Sequence, residues 1–75
     1  MPKTHADPYL RKIGIRVREL RVRKKLSQEA LAEKANLDRT YIWGIESGVR
    51  NATILTLRRV ATALGVSTAS LLPHE

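Results

Sequence analysis

The chain has 75 residues and no cysteine, which limits it to one compact domain and excludes disulfides, thiolate zinc sites and cysteine nucleophiles. Fourteen Lys and Arg against seven Asp and Glu leave a net charge of +7, and a small domain this basic points to a polyanionic partner, nucleic acid before an anionic membrane. The excess is uneven: residues 1–25 hold nine basic groups (Lys3, Arg11, Lys12, Arg16, Arg18, Arg21, Arg23, Lys24, Lys25) against Asp7 and Glu19, and the rest of the chain is balanced. The competing reading of that run is a solvated helix face that only keeps the protein soluble. Met1 to Ala6 lack the apolar stretch of a secretory signal, and no run approaches the roughly 20 apolar residues of a membrane span. A cytoplasmic protein with no membrane partner is therefore expected.

Residues 1–6 read as a flexible arm, and residues 7–73 as a single all-α domain of five helices. The first helix starts at Asp7-Pro8, a cap followed by the residue best suited to the first helical position. Leu10, Ile13, Val17 and Leu20 recur at three- and four-residue steps and form one apolar stripe, which frays near Lys25. Ile15 and Val22 fall off the stripe and are either exposed or contacts for a partner chain. Ser27 caps a second helix that runs to Ala35 with Ala30, Leu31 and Ala32 facing inward, and Asn36 ends it in the left-handed conformation. Leu37 is a buried turn residue. Asp38 caps a third helix from about Arg39 to Glu46, which stops at Ser47-Gly48. Thr53 caps a fourth, whose Ile54, Leu57, Val60, Ala61 and Leu64 form a second stripe. Gly65 ends it and Val66 folds back as the apolar residue of a Schellman stop. Ser67 caps a short last helix that Pro73 closes.

The second and third helices, joined by the turn at Asn36-Leu37, have helix-turn-helix spacing. Such a pair leaves one face of the second member proud of the protein, with a diameter that fits the DNA major groove. Ile42 and Ile45 point to the core, so the opposite side carries Arg39, Thr40, Trp43 and Gly44 as candidate base readers. Arg39 can make two bonds to guanine, and Thr40 offers a hydroxyl and a methyl. Asp38 could accept from a cytosine amine, but capping alone accounts for it. Trp43 is either packed against a small core or, by its phase four residues after Arg39, exposed on the reading face.

Phosphate contacts are expected elsewhere. Gln28 sits at the start of the second helix, beside N–H groups that favour an anion. Ser47, Arg50 and Asn51 lie in or beside the loop after the third helix, and a turn-making role for Asn51 weighs equally with a phosphate contact. Glu46 ends the third helix on the core side, where a lone carboxylate is costly, and Arg21 is its natural partner as a structural ion pair.

These residues, Ser27 to Ala35, then Asn36-Leu37-Asp38-Arg39-Thr40-Tyr41-Ile42, then Gly44-Ile45-Glu46-Ser47-Gly48, with the tail Ala63-Leu64-Gly65-Val66-Ser67, resemble the Cro/phage-repressor (XRE-type) helix-turn-helix family over about residues 10–72. The resemblance implies a five-helix, lambda-repressor-like domain that binds palindromic operators as a homodimer. It implies phosphate contacts at Gln28, Ser47 and Asn51, base readout from Arg39, Thr40, Trp43 and Gly44, and a buried Arg21–Glu46 pair. Within the family, the run from Asn36 to Ile42 followed by Gly44-Ile45-Glu46 is most similar to the controller proteins of restriction–modification systems, single-domain dimeric regulators that time endonuclease expression. Two departures stand out: Trp43 stands where a small polar residue such as serine is common, and Ala52 where proline is frequent.

The expected partners are double-stranded DNA, a second copy of the chain through Leu71, Leu72 and nearby apolar residues, and RNA polymerase as a further candidate. The expected location is the cytoplasm, on the nucleoid. No cofactor or metal is expected. His5 and His74 lie in tails, no carboxylate pair shares a cleft, and no Gly-rich phosphate loop exists, so an enzyme is not indicated. An antitoxin-type repressor that also wraps a toxin protein is the alternative function, with only residues 1–8 available for the wrapping segment.

Overall fold

The computed structural model describes residues 7–74, so the expected arm at residues 1–6 lies outside the described part. The order is α1 (Pro8–Arg23), α2 (Gln28–Ala35), α3 (Arg39–Ser47), α4 (Ile54–Leu64) and a 3-10 turn (Thr68–Leu71). The starts are set by local chemistry. Asp7 accepts from the backbone N–H of Tyr9 (2.8 Å) and Leu10 (3.4 Å), Ser27 from Ala30 (2.9 Å), and Thr53 from Thr56 (3.1 Å). The stops are equally local. Asn36, Gly48 and Gly65 all take positive φ, and the N–H of Val66 reaches the carbonyl of Ala61 at 3.0 Å in the Schellman pattern. Lys25 also takes a left-handed conformation, and the N–H of Leu26 bonds to the carbonyl of Arg21 at 3.1 Å to close α1 in the same way.

Two expectations about the elements are corrected. Asp38 occupies the cap position of α3, yet its carboxylate makes no capping hydrogen bond. The last element is a single 3-10 turn rather than a fifth α-helix. Only four residues lie between the Ser67 cap and Leu72, and Leu72 is already extended (φ −94°, ψ 142°), the conformation that a following proline favours.

The core is built from the predicted stripes: Ile13, Val17 and Leu20 of α1, Leu31, Ala32 and Ala35 of α2, Ile42 and Ile45 of α3, and Leu57, Val60, Ala61 and Leu64 of α4. Leu10 and Leu37 pack against its edge. Ile15 and Val22 are exposed, as their phase allows, and so is Ile54, which the α4 stripe had placed inside. Leu71, expected at a contact with a partner chain, is 0% exposed. The 3-10 turn folds its side chain under α4, where it completes the chain's own core, so it does not reach a partner. Leu72 is only partly buried. The guanidinium of Arg16 donates to the carbonyl of Ser70 at 3.0 Å and ties this turn to α1.

α1 packs on α3, and α2 packs on both α3 and α4. The α1–α3 crossing depends on Gly14. A Cβ there would lie 2.3 Å from the carbonyl oxygen of Ile45 and 2.5 Å from that of Glu46. These are backbone atoms, so a larger residue has to push α1 away from α3. Gly14→Ala is expected to destabilise the fold by about 3 kcal/mol in urea unfolding. Ile15→Ala, at the adjacent exposed position, is expected to stay within about 0.5 kcal/mol of the parent.

Candidate nucleic-acid interface

The turn between α2 and α3 is fixed from both sides. Asn36 in its left-handed conformation turns the chain, and the N–H of Leu37 bonds to the carbonyl of Ala32 at 2.8 Å. From α4, Arg59 donates through Nε to the carbonyl of Ala35 (3.1 Å) and through Nη2 to that of Asn36. These are the free carbonyls at the end of α2, where a cation is also favoured by the helix dipole. Sequence pattern does not single Arg59 out from Arg58, because the contact depends on how α4 crosses α2.

α3 is held against α1 by the expected ion pair. Arg21 donates Nε to Glu46 Oε2 at 2.6 Å and Nη2 to Oε1 at 3.1 Å, and its Nη1 donates to the carbonyl of Leu26 at 2.7 Å. The two side chains are 12% and 4% exposed, so Arg21 serves the fold and has no face left for DNA. Gln28 joins the pair by donating Nε2 to Glu46 Oε1 at 3.1 Å. One amide hydrogen of Gln28 is thereby used inside the protein, and one remains for the phosphate contact expected of it.

The outer face of α3 carries Arg39, Thr40 and Trp43, all exposed, while Ile42 and Ile45 are buried beneath them. Trp43 is 51% exposed, so the indole belongs to the surface and not to the core. Gly44 does not belong to the reading face. It is buried, with the Arg50 side chain lying over it so closely that a Cβ would come within 3.1 Å of Arg50 Cβ. A residue at the floor, with no side chain, presents nothing to a base edge.

Gly48 sends the chain back along α3, and the N–H groups of Val49 and Arg50 both bond to the carbonyl of Gly44 at 3.1 Å. That return places the Arg50 guanidinium over the ring of Tyr41, 4.3 Å from its centroid. Thr40, Tyr41, Trp43, Val49, Arg50 and Asn51 consequently line one shallow cleft with Gly44 at its base. Thr40 and Trp43, two of the base-reading candidates, thus share one surface with Arg50 and Asn51, two of the phosphate-binding candidates. Ser47 is half-buried at its edge and Asn51 is exposed.

Two contributors go beyond the expected set. Tyr41 positions Arg50, a contact that its place in the sequence does not announce. Arg11 of α1 is exposed and packs against Gly48, where a Cβ would lie 2.7 Å from Arg11 Cγ, so it extends the basic rim beside the loop. Among the described residues no group of three His, Cys, Asp or Glu could hold a metal, and no helix is long and apolar enough to cross a membrane.

Glu46→Ala is expected to cost about 3–5 kcal/mol in thermal or urea unfolding, because it leaves Arg21 buried without its carboxylate. The double substitution Arg21→Met/Glu46→Leu is expected to lose distinctly less, since no uncompensated charge remains.

Residues 17–71 match the helix-turn-helix family. The chain is 41% identical over 63 residues to the immunity repressor protein of Bacillus phage phi105, a match that covers 84% of this chain but only 44% of that repressor. The restriction-modification controller protein C.AhdI from Aeromonas hydrophila superposes with a TM-score of 0.82 at 46% identity, covering 84% of this chain and 96% of that one. The controller protein C.Esp1396I, solved as a tetramer in complex with its natural 35 base-pair operator, superposes with a TM-score of 0.79 at 42% identity, over 87% of this chain and 86% of its own. The chain belongs to the XRE-type helix-turn-helix family of DNA-binding transcriptional regulators.

Proposed function

We propose that the protein binds a palindromic operator as a homodimer and regulates transcription, its own included, in the manner of restriction-modification controller proteins. The observation that carries this reading is the exposed row Arg39, Thr40 and Trp43 on a helix clamped by Arg21–Glu46, with Thr40 and Trp43 sharing a cleft with the Arg50–Asn51 loop. A controller relative solved on its operator supports it.

In this reading α3 enters the major groove. Arg39 reads guanine, Thr40 and Trp43 read neighbouring positions, and Gln28, Ser47, Arg50 and Asn51 fix the register on phosphates. Two copies present their α3 helices about 34 Å apart, one turn of DNA. The self-association surface centres on Leu72 with Ile54, which share the wall of one apolar cavity, and on the neighbouring Leu55. Ile54 and Leu55 are adjacent and 62% and 67% exposed, which leaves their apolar side chains available to a second copy. RNA polymerase is the proposed partner of the operator-bound dimer, and the cytoplasmic nucleoid its location.

Trp43 is the only tryptophan, so its fluorescence reports on the interface directly. A duplex selected from a random pool should quench or shift that emission at concentrations where a scrambled duplex of equal length, at the same salt, leaves it unchanged. Equal titration by both duplexes would sink the reading. Arg39→Ala should weaken the selected duplex by ~1–3 kcal/mol and relax base choice at one position, with little effect on the scrambled one.

A further inference from the structure

We propose that Trp43 recognises the C5-methyl group of a pyrimidine, so that one base pair in each half-site is read by a methyl contact. The inference rests on α3 being the major-groove helix and goes further by naming the chemical group read.

Trp43 lies one helical turn beyond Arg39 and Thr40 on the same face, about 6 Å along the axis from Arg39, close to two base-pair steps. Its neighbours on α3, Ile42 and Gly44, are buried, so its indole closes the exposed row that begins at Arg39. The loop donors that suit phosphates, Arg50 and Asn51, also line the cleft, and Arg50 is drawn onto Tyr41. Thr40 and Val49, the latter 41% exposed, line the same cleft and bring methyl groups to it.

An indole carries one N–H donor and no acceptor, and the rest of its surface is carbon. Most base-edge groups in the major groove are polar, and pressing carbon against them leaves donors or acceptors stripped of water without a partner. The thymine methyl is the exception. The carbon face of the Trp43 indole, in the cleft that Thr40 and Val49 also line, is suited to it, and the same face accepts the methyl of 5-methylcytosine, which occupies the equivalent position on the ring.

The test uses the full chain and its selected duplex, with binding followed by anisotropy of labelled DNA at fixed salt. Each thymine is replaced in turn by uracil, which removes only the methyl group. At one symmetric position, uracil is expected to weaken binding about fourfold per half-site, the worth of one buried methyl. Trp43→Ala should bind the thymine and uracil duplexes equally at that position. Because Trp43 is exposed, this variant should unfold at the same urea concentration as the parent. With guanine opposite, 5-methylcytosine at that position should bind the parent better than cytosine does. If no uracil duplex is weaker for the parent, the inference is overturned. It is also overturned if Trp43→Ala loses affinity while keeping the full thymine-over-uracil preference at every position, because the indole would then touch the sugar–phosphate strand. Failure of the underlying reading shows earlier and separately, as equal affinity for selected and scrambled duplexes.

Discussion

The bond between Arg21 and Glu46 connects the interior to the proposed DNA-binding face. Two charges taken almost out of water recover much of their desolvation cost only through good geometry, and here each of the three guanidinium nitrogens donates a bond: two to the carboxylate and one to the carbonyl of Leu26. A pair of this kind contributes less to net stability than to orientation. It pins the last turn of α3 to α1, and through Gln28 it also engages the first turn of α2. Gly14 allows the same crossing to be close enough for the side chains to meet. With the buried end of α3 held at that angle, its start set by the Asn36 turn and Arg59, and Ile42 and Ile45 in the core, Arg39, Thr40 and Trp43 face outward.

The basic residues divide by task. Arg16, Arg21 and Arg59 each donate to carbonyls or a carboxylate within the protein, joining α1 to the 3-10 turn, α1 to α3, and α4 to the helix-turn-helix turn. All three are arginines, as expected where a planar fork must satisfy acceptors at fixed positions. The exposed cations of α1, including Arg11 beside Gly48, contribute to the field that attracts a polyanion. The net charge of +7 therefore describes long-range attraction better than it describes the number of available phosphate contacts.

What could be read from the sequence is what depends on near neighbours. Caps at Asp7, Ser27 and Thr53 and the left-handed stops at Asn36, Gly48 and Gly65 are set within four or five residues, and these lie where the local pattern puts them. The Arg21–Glu46 pair was also legible, because a carboxylate on the core side of a helix demands a partner. Features that depend on how elements cross were not. The side of the last turn that faces α4 decides the burial of Leu71, and four residues carry too little periodicity to show it. Gly44 looked like part of the reading row by phase, but the returning loop covers it with Arg50. Arg59 and Tyr41 gain their roles from segments well separated from them in the chain. Asp38 shows the limit of local rules: a residue type that favours caps occupies the cap position without making the bond.

The stacking of Arg50 on Tyr41 bears on the affinity of the proposed complex. A free arginine side chain carries about 2 kcal/mol of rotamer entropy, which is lost when a phosphate immobilises it. Here the ring has already narrowed that freedom before any ligand arrives, so less is lost on association. The guanidinium keeps its edge N–H groups available while its flat face rests on carbon. In the proposed complex this preorganisation lowers the ordering cost of binding, so affinity rises without an added contact.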